Sequence, residues 1–215
     1  MPITFHYGSG SPPAWRVWLA LEFKGLPYEF KLMSFEAGDL KRPEFLALNP
    51  RGRVPTIVDG DFALYESNAI VEYLEEQYPA TPQLYPGNTR DRAIVRRWVS
   101  EIDDGIARQV YELASLVFYP SGPLDAEKFT VARAAVVAEL GVIARMMQGD
   151  YLAGARITAA DLALYPHVAM LARLDGKKPD LALIGARPAP IAAWAARIEA
   201  LPFFDKTVPP HWKRK

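Results

Sequence analysis

Between residues 1 and 79 the spacing of apolar positions changes repeatedly. Residues 3–7 (ITFHY) alternate apolar and polar side chains, the period of a half-buried strand. Residues 13–24 switch to helical spacing, with proline in the first turn, where its missing N–H costs nothing, and Gly25 placed to cap the end. Strand spacing returns over 28–33, and residues 56–59 and 62–65 read as a hairpin turning on Gly60-Asp61. A helix follows over 67–77, with Ala69, Ile70, Tyr73 and Leu74 along one face. The predicted order is β-α-β, an irregular stretch with a short helix, then β-β-α.

Two parallel strands followed by a hairpin is the thioredoxin-like arrangement, an α/β domain predicted here over residues 1–79. The stretch PATPQLYPGN, from Pro79 to Asn88, holds three prolines and a glycine and marks a linker at 80–88. Beyond it strand spacing disappears. One long helix is predicted over 89–118, broken before Pro120 and Pro123. A second spans 125–148 with Asp125 at its N-cap. A third opens at Thr158-Ala-Ala-Asp161, a capping box with Asp in place of the usual Glu, and ends near Arg173. A fourth covers 189–201. Residues 89–215 are therefore expected to form an all-helical bundle.

Composition narrows the function by exclusion. The chain has 215 residues, 50% of them hydrophobic and 23% charged, ordinary for a soluble globular protein. No apolar run reaches the length of a membrane span, and the start lacks a basic region and a signal core, so a cytoplasmic location is expected. The 25 basic and 25 acidic residues cancel, leaving no field to attract nucleic acid, and the ending Lys213-Arg214-Lys215 is too short for a binding arm. Cysteine is absent, which removes disulfides, thiolate metal sites and a cysteine nucleophile. His6, His167 and His211 show no metal-ligand spacing, so no metal is expected.

Three places carry candidate chemistry. Val54-Pro55 opens a strand where proline cannot donate to the ladder. In a thioredoxin-like fold this proline is cis and turns the Val54 backbone outward, free to pair with a peptide-like ligand at the sheet edge. Glu66-Ser67 stands at the mouth of the 67–77 helix, where a hydroxyl, free N–H groups and the dipole suit a carboxylate, and Glu66 suits a neighbouring ammonium. The loop Tyr7-Gly-Ser9-Gly-Ser11-Pro-Pro13 leads from the first strand into the first helix, and Ser11 or Ser9 there can donate to a sulfur.

The run from Ser11 to Glu29 (SPPAWRVWLALEFKGLPYE) resembles the first helix of serine-type glutathione S-transferases, particularly the zeta and tau classes. In those classes the activating serine stands five positions before an arginine, as Ser11 does before Arg16. Asn49-Pro50, Val54-Pro55, Glu66-Ser67-x-Ala69-Ile70 and Tyr73-Leu74 resemble the same family, as does Leu152-Ala-Gly154 with Thr158-x-Ala-Asp161 in the helical half. The resemblance covers nearly the whole chain. It implies glutathione as co-substrate, with Ser11 activating the thiol, Ser9 as the alternative donor, Val54 after Arg53 and before Pro55 pairing with the cysteinyl backbone, and Glu66 and Ser67 holding the γ-glutamyl end. Arg53 falls where related classes place a residue near the glycyl carboxylate. Pro13 departs from the zeta class, which has cysteine at that place.

The same resemblance implies a homodimer and a pocket for a small hydrophobic electrophile, with Tyr7, Trp15, Arg108, Tyr111, Ser115 and Tyr119 as candidates. Asp104, beside Asp103, is placed to reach the glutathione amine of a partner subunit. Without cysteine, the chain is left with attack by glutathione on an electrophile or thiol-assisted isomerisation. Two other readings stand beside the transferase. One is a glutathione-dependent cis-trans isomerase of a maleylacetoacetate-like acid, which needs cations such as Arg108. The other is a non-catalytic protein-interaction module.

Overall fold

The computed structural model describes residues 2–120, 125–209 and 212; Pro123, His211 and the basic ending Lys213-Arg214-Lys215 lie outside them. Two compact units result, one running to Tyr85 and resuming at Pro202, the other from Pro86 to Leu201.

In the first unit β1 (Ile3–Tyr7) leads into α1 (Pro12–Lys24), and β2 (Tyr28–Leu32) returns parallel to β1. The short helix of the irregular stretch is α2 (Pro43–Leu48). β3 (Thr56–Asp59) runs antiparallel to β1 and pairs with β4 (Phe62–Tyr65), giving the sheet order β2-β1-β3-β4. Strand alternation sets the buried face: Ile3, Phe5 and Tyr7 are buried, whereas Thr4 and His6 are half-exposed. Trp18 and Leu21 of α1, Ile57 of β3, and Ile70 and Leu74 of α3 (Ser67–Gln77) complete this core. The buried stripe of α3 runs through Val71 rather than the expected Ala69, which is exposed.

The proline-rich stretch is anchored at its first half. Glu75, at the buried side of α3, accepts from Lys24 Nζ at 2.8 Å and from the Leu84 and Tyr85 N–H groups at 3.0 Å. Lys24 also donates to the Pro82 carbonyl at 3.1 Å, and Leu84 and Tyr85 are buried.

The second unit is all-helical: α4 (Thr89–Asp104), α5 (Ile106–Phe118), α6 (Ala126–Met146), α7 (Ala159–Lys177) and α8 (Ala189–Glu199). The single helix expected over 89–118 is two, divided at Gly105, whose backbone (φ −102°, ψ −100°) is not helical. A Cβ at Gly105 would lie 2.9 Å from the Glu101 carbonyl oxygen, so glycine fits this break. α7 runs a turn beyond its expected end at Arg173 because its buried face continues through Leu171 and Leu174. Asp125 caps α6 as expected, accepting from the Glu127 and Lys128 N–H groups. Asp161, fully buried, accepts from Thr158 N–H and O–H, Leu152 N–H and Trp194 Nε1 at 2.8–2.9 Å.

From Pro202 the chain packs back on α1, although the boundary read from sequence left these residues with the helical bundle. In α9 (Phe204–Thr207), Thr207 Oγ1 accepts from Trp15 Nε1 at 3.0 Å, and Lys206 pairs with Glu22 at 3.3 Å. The Trp212 ring lies edge-on to Trp15 with centroids 5.1 Å apart. Among the described residues no helix is long and apolar enough to cross a membrane.

Candidate functional site

Sheet register brings the candidate residues of the first unit to one end. His6 pairs with Thr56, and Thr56 pairs with Tyr65. The chain leaving β1 at Gly8, entering β3 at Val54 and leaving β4 at Glu66 therefore emerges side by side.

The turn after β1 is closed by Ser11 N–H donating to the Gly8 carbonyl at 3.1 Å. Ser11 is the N-cap of α1, and its Oγ accepts from Ala14 N–H at 3.4 Å. That bond uses an acceptor lone pair and leaves the hydroxyl hydrogen for an outward acceptor. Ser9 differs, because its hydroxyl bonds the Tyr7 hydroxyl, which also accepts from Gly10 N–H at 3.3 Å. Burial raises the Tyr7 pKa, only partly offset by these two bonds, so Tyr7 stays a neutral phenol.

Tyr7 and Trp15 are a correction to the expected pocket. Tyr7 packs against Trp18 and Phe30 with ring centroids 5.0 Å away, and Trp15 is buried beneath α9. Both are core residues of the first unit. Apolar periodicity names the buried face of an element without saying which aromatic borders a ligand.

The Val54–Pro55 bond is cis, and the Val54 N–H and C=O take no hydrogen-bond partner among the described residues. Asn49, itself buried, braces this approach: its Nδ2 donates to the Arg53 carbonyl at 2.8 Å and to Thr56 Oγ1 at 3.1 Å. The Arg53 side chain is exposed. Glu66 takes φ 70°, ψ 114°, the left-handed side of the map that a non-glycine residue enters at a cost of roughly 1–3 kcal/mol. Its exposed carboxylate makes no cap to α3, so the first-turn N–H groups keep their outward aim.

Behind that terminus lies a residue the sequence offered only as a spacing marker. Arg16, buried in α1, donates from Nη1 to Ser67 Oγ at 3.3 Å and to Asn68 Oδ1. Its buried positive charge adds to the positive end of the α3 dipole. Ser67 Oγ accepts from Arg16, which leaves its own hydrogen available to donate.

The remaining candidates belong to the second unit. Tyr111 and Ser115 line a groove of about 630 Å³ between α5 and α6, with Lys128 and Val131. Ser115 Oγ donates to the Tyr111 carbonyl at 2.8 Å, and Tyr119 stands 81% exposed at the end of α5. Arg108 and Asp104 pair with each other at 2.9 Å on an exposed face of the helices.

Residues 5–82 match the family model described as the glutathione S-transferase N-terminal domain, and residues 112–202 match its C-terminal domain. Glutathione S-transferase A of Pleuronectes platessa is 31% identical over 219 residues, spanning 98% of this chain and 92% of its own. The chain belongs to the glutathione S-transferase family. A solved glutathione S-transferase from the Antarctic clam Laternula elliptica superposes with a TM-score of 0.83 at 33% identity, covering 100% of this chain and 95% of that one. A glutathione transferase from Burkholderia graminis, solved with two glutathione molecules bound per subunit, gives 0.86 at 25% identity, covering 99% and 90%. The thioredoxin-like first domain and the helical second are those of this transferase family.

Proposed function

We propose that this transferase lays glutathione along Val54, Glu66 and Ser67 and activates its sulfur as a thiolate through a hydrogen bond from Ser11, in the manner of the serine-type classes. The observation that carries the reading is the Ser11 hydroxyl, held at the N-terminus of α1 as an acceptor from Ala14 with its hydrogen unspent. Ser9, engaged with Tyr7, is the lesser candidate. The cysteinyl backbone pairs with Val54, the γ-glutamyl carboxylate accepts from Ser67 and the first turn of α3, and the ammonium lies by Glu66. Arg53 takes the glycyl carboxylate, where a guanidinium is chemically apt. The bound glutathione of the Burkholderia graminis relative supports the same ligand here.

A free thiol with a pKa of about 8.5 is only a few per cent ionised at neutral pH, and lowering it by roughly two units takes about 2.7 kcal/mol. One hydrogen bond to a charged acceptor supplies about 1.5–3 kcal/mol, and the dipole of α1 adds to it. The thiol proton is released to solvent as glutathione binds, so no general base is required. The thiolate then attacks an electrophilic carbon, forming a C–S bond while the leaving group departs with its electron pair. Neither mixed disulfide nor covalent enzyme intermediate is needed, consistent with a chain that has no cysteine.

A homodimer in which Asp104 reaches the partner's bound glutathione belongs to the same proposal. The isomerase reading is the weaker one, since a doubly charged acid needs several cations in its pocket and Arg108 is the one the sequence offers. Affinity chromatography separates the transferase from an interaction module. The protein is expected to be retained on immobilised glutathione, to elute with the free tripeptide and to conjugate chlorodinitrobenzene. Retention with no turnover across a panel of electrophiles would contradict the transferase reading.

A further inference from the structure

We propose that Thr207 is a positioning residue for the thiol chemistry: bonded to Trp15, it fixes the first turn of α1 and with it the aim of the Ser11 hydroxyl. The inference rests on the Ser11 reading proposed above. The first turn of α1 has little of its own to hold it. Residues 12 and 13 are both proline and have no N–H, so the turn reaches back to Ser11 through Ala14 and Trp15. Ala14 N–H donates to Ser11 Oγ at 3.4 Å, and Trp15 N–H donates to the Ser11 carbonyl at 2.9 Å. The place of Trp15 therefore sets the place of Ser11.

Trp15 is held in turn by the far end of the chain. Its indole N–H donates to Thr207 Oγ1 at 3.0 Å, and both residues are buried. The Thr207 hydroxyl spends its hydrogen on the Phe204 carbonyl at 2.9 Å, which leaves its oxygen as an acceptor for the indole. The Phe204 and Trp212 rings pack on Trp15 with centroids 6.3 and 5.1 Å away. Toward the other end of α1, Lys206 pairs with Glu22 at 3.3 Å, and the Phe203 ring stands edge-on to Phe23 at 6.4 Å. The segment from Pro202 thus clamps α1 along its length. It belongs with α1 in the first unit, although the whole second unit precedes it in the chain.

The test is ultraviolet titration of the thiolate of bound glutathione in T207V, T207S, W15F, S11A and T207V/S11A, with the glutathione Kd and Tm measured beside it. T207V keeps the shape of Thr207 and removes the acceptor. W15F removes the donor and leaves Thr207 bonded to Phe204, so it carries the test if T207V does not fold. Both variants should raise the midpoint by at least about 0.5 pH unit while the glutathione Kd stays within about twofold. T207S should titrate as wild type, and T207V should add nothing to the shift of S11A. A lowered Tm with an unmoved midpoint makes Thr207 a structural anchor and overturns this inference alone. An additive shift in the double variant overturns it as well, because the effect then bypasses Ser11. An S11A titration superimposable on wild type overturns the Ser11 reading and this inference with it.

Discussion

A buried guanidinium must find acceptors, and Arg16 finds them at the other helix of the site. Its bonds to Ser67 and Asn68 tie the N-terminus of α3 to the helix that Ser11 opens. Arg16→Met should therefore leave Ser67 misoriented, raising the glutathione Kd by about tenfold, the loss of a charged hydrogen bond of about 1.5 kcal/mol. Calorimetric titration checks this, and an unchanged Kd would show that Arg16 only packs. Val54-Pro55 and Glu66-Ser67 were legible in the sequence because a proline at a strand start and a serine at a helix start each have a local physical reason. Arg16 was not, since its partners lie 51 and 52 residues away and meet it only in the fold.

At the scale of elements, caps determine where the helices begin. Thr158 and Asp161 were readable as a box, but the reach of Asp161 to Leu152 and Trp194 was not. Asp161→Ala removes the acceptor of three residues' donors in a buried place, and each orphaned donor costs about 1–3 kcal/mol. Chemical denaturation should show a loss above about 3 kcal/mol; a loss below about 1 kcal/mol would mean that water or rearrangement satisfies them. The division of 89–118 at Gly105 was hidden, because apolar positions keep helical spacing on both sides. Gly105→Ala should cost about 1–3 kcal/mol, since its Cβ would press on the Glu101 carbonyl at 2.9 Å and the Glu139 carboxylate at 3.2 Å. Thermal unfolding reads that cost directly.

For the whole molecule, the chain order of domains is not the packing order: the last described residues return to α1, and the start of the linker is held by Glu75. Burial alone would raise the Glu75 carboxyl, but the Leu84 N–H, the Lys24 ammonium and the Tyr85 N–H together hold it below its ordinary value of 4.5. A carboxyl depressed on folding contributes stability above its unfolded value and loses it as pH falls through the folded one. Glu75→Gln should accordingly lower Tm at neutral pH, and the gap to wild type should narrow as pH drops below 4.5. A gap independent of pH would exclude the charge as its cause. The central claim, that Ser11 holds the bound sulfur as a thiolate, is met most directly by ultraviolet titration of the thiolate of enzyme-bound glutathione in wild type and Ser11→Ala. The account predicts binding retained and a midpoint raised by roughly two pH units toward that of free glutathione in the variant. Superimposable titrations would contradict it.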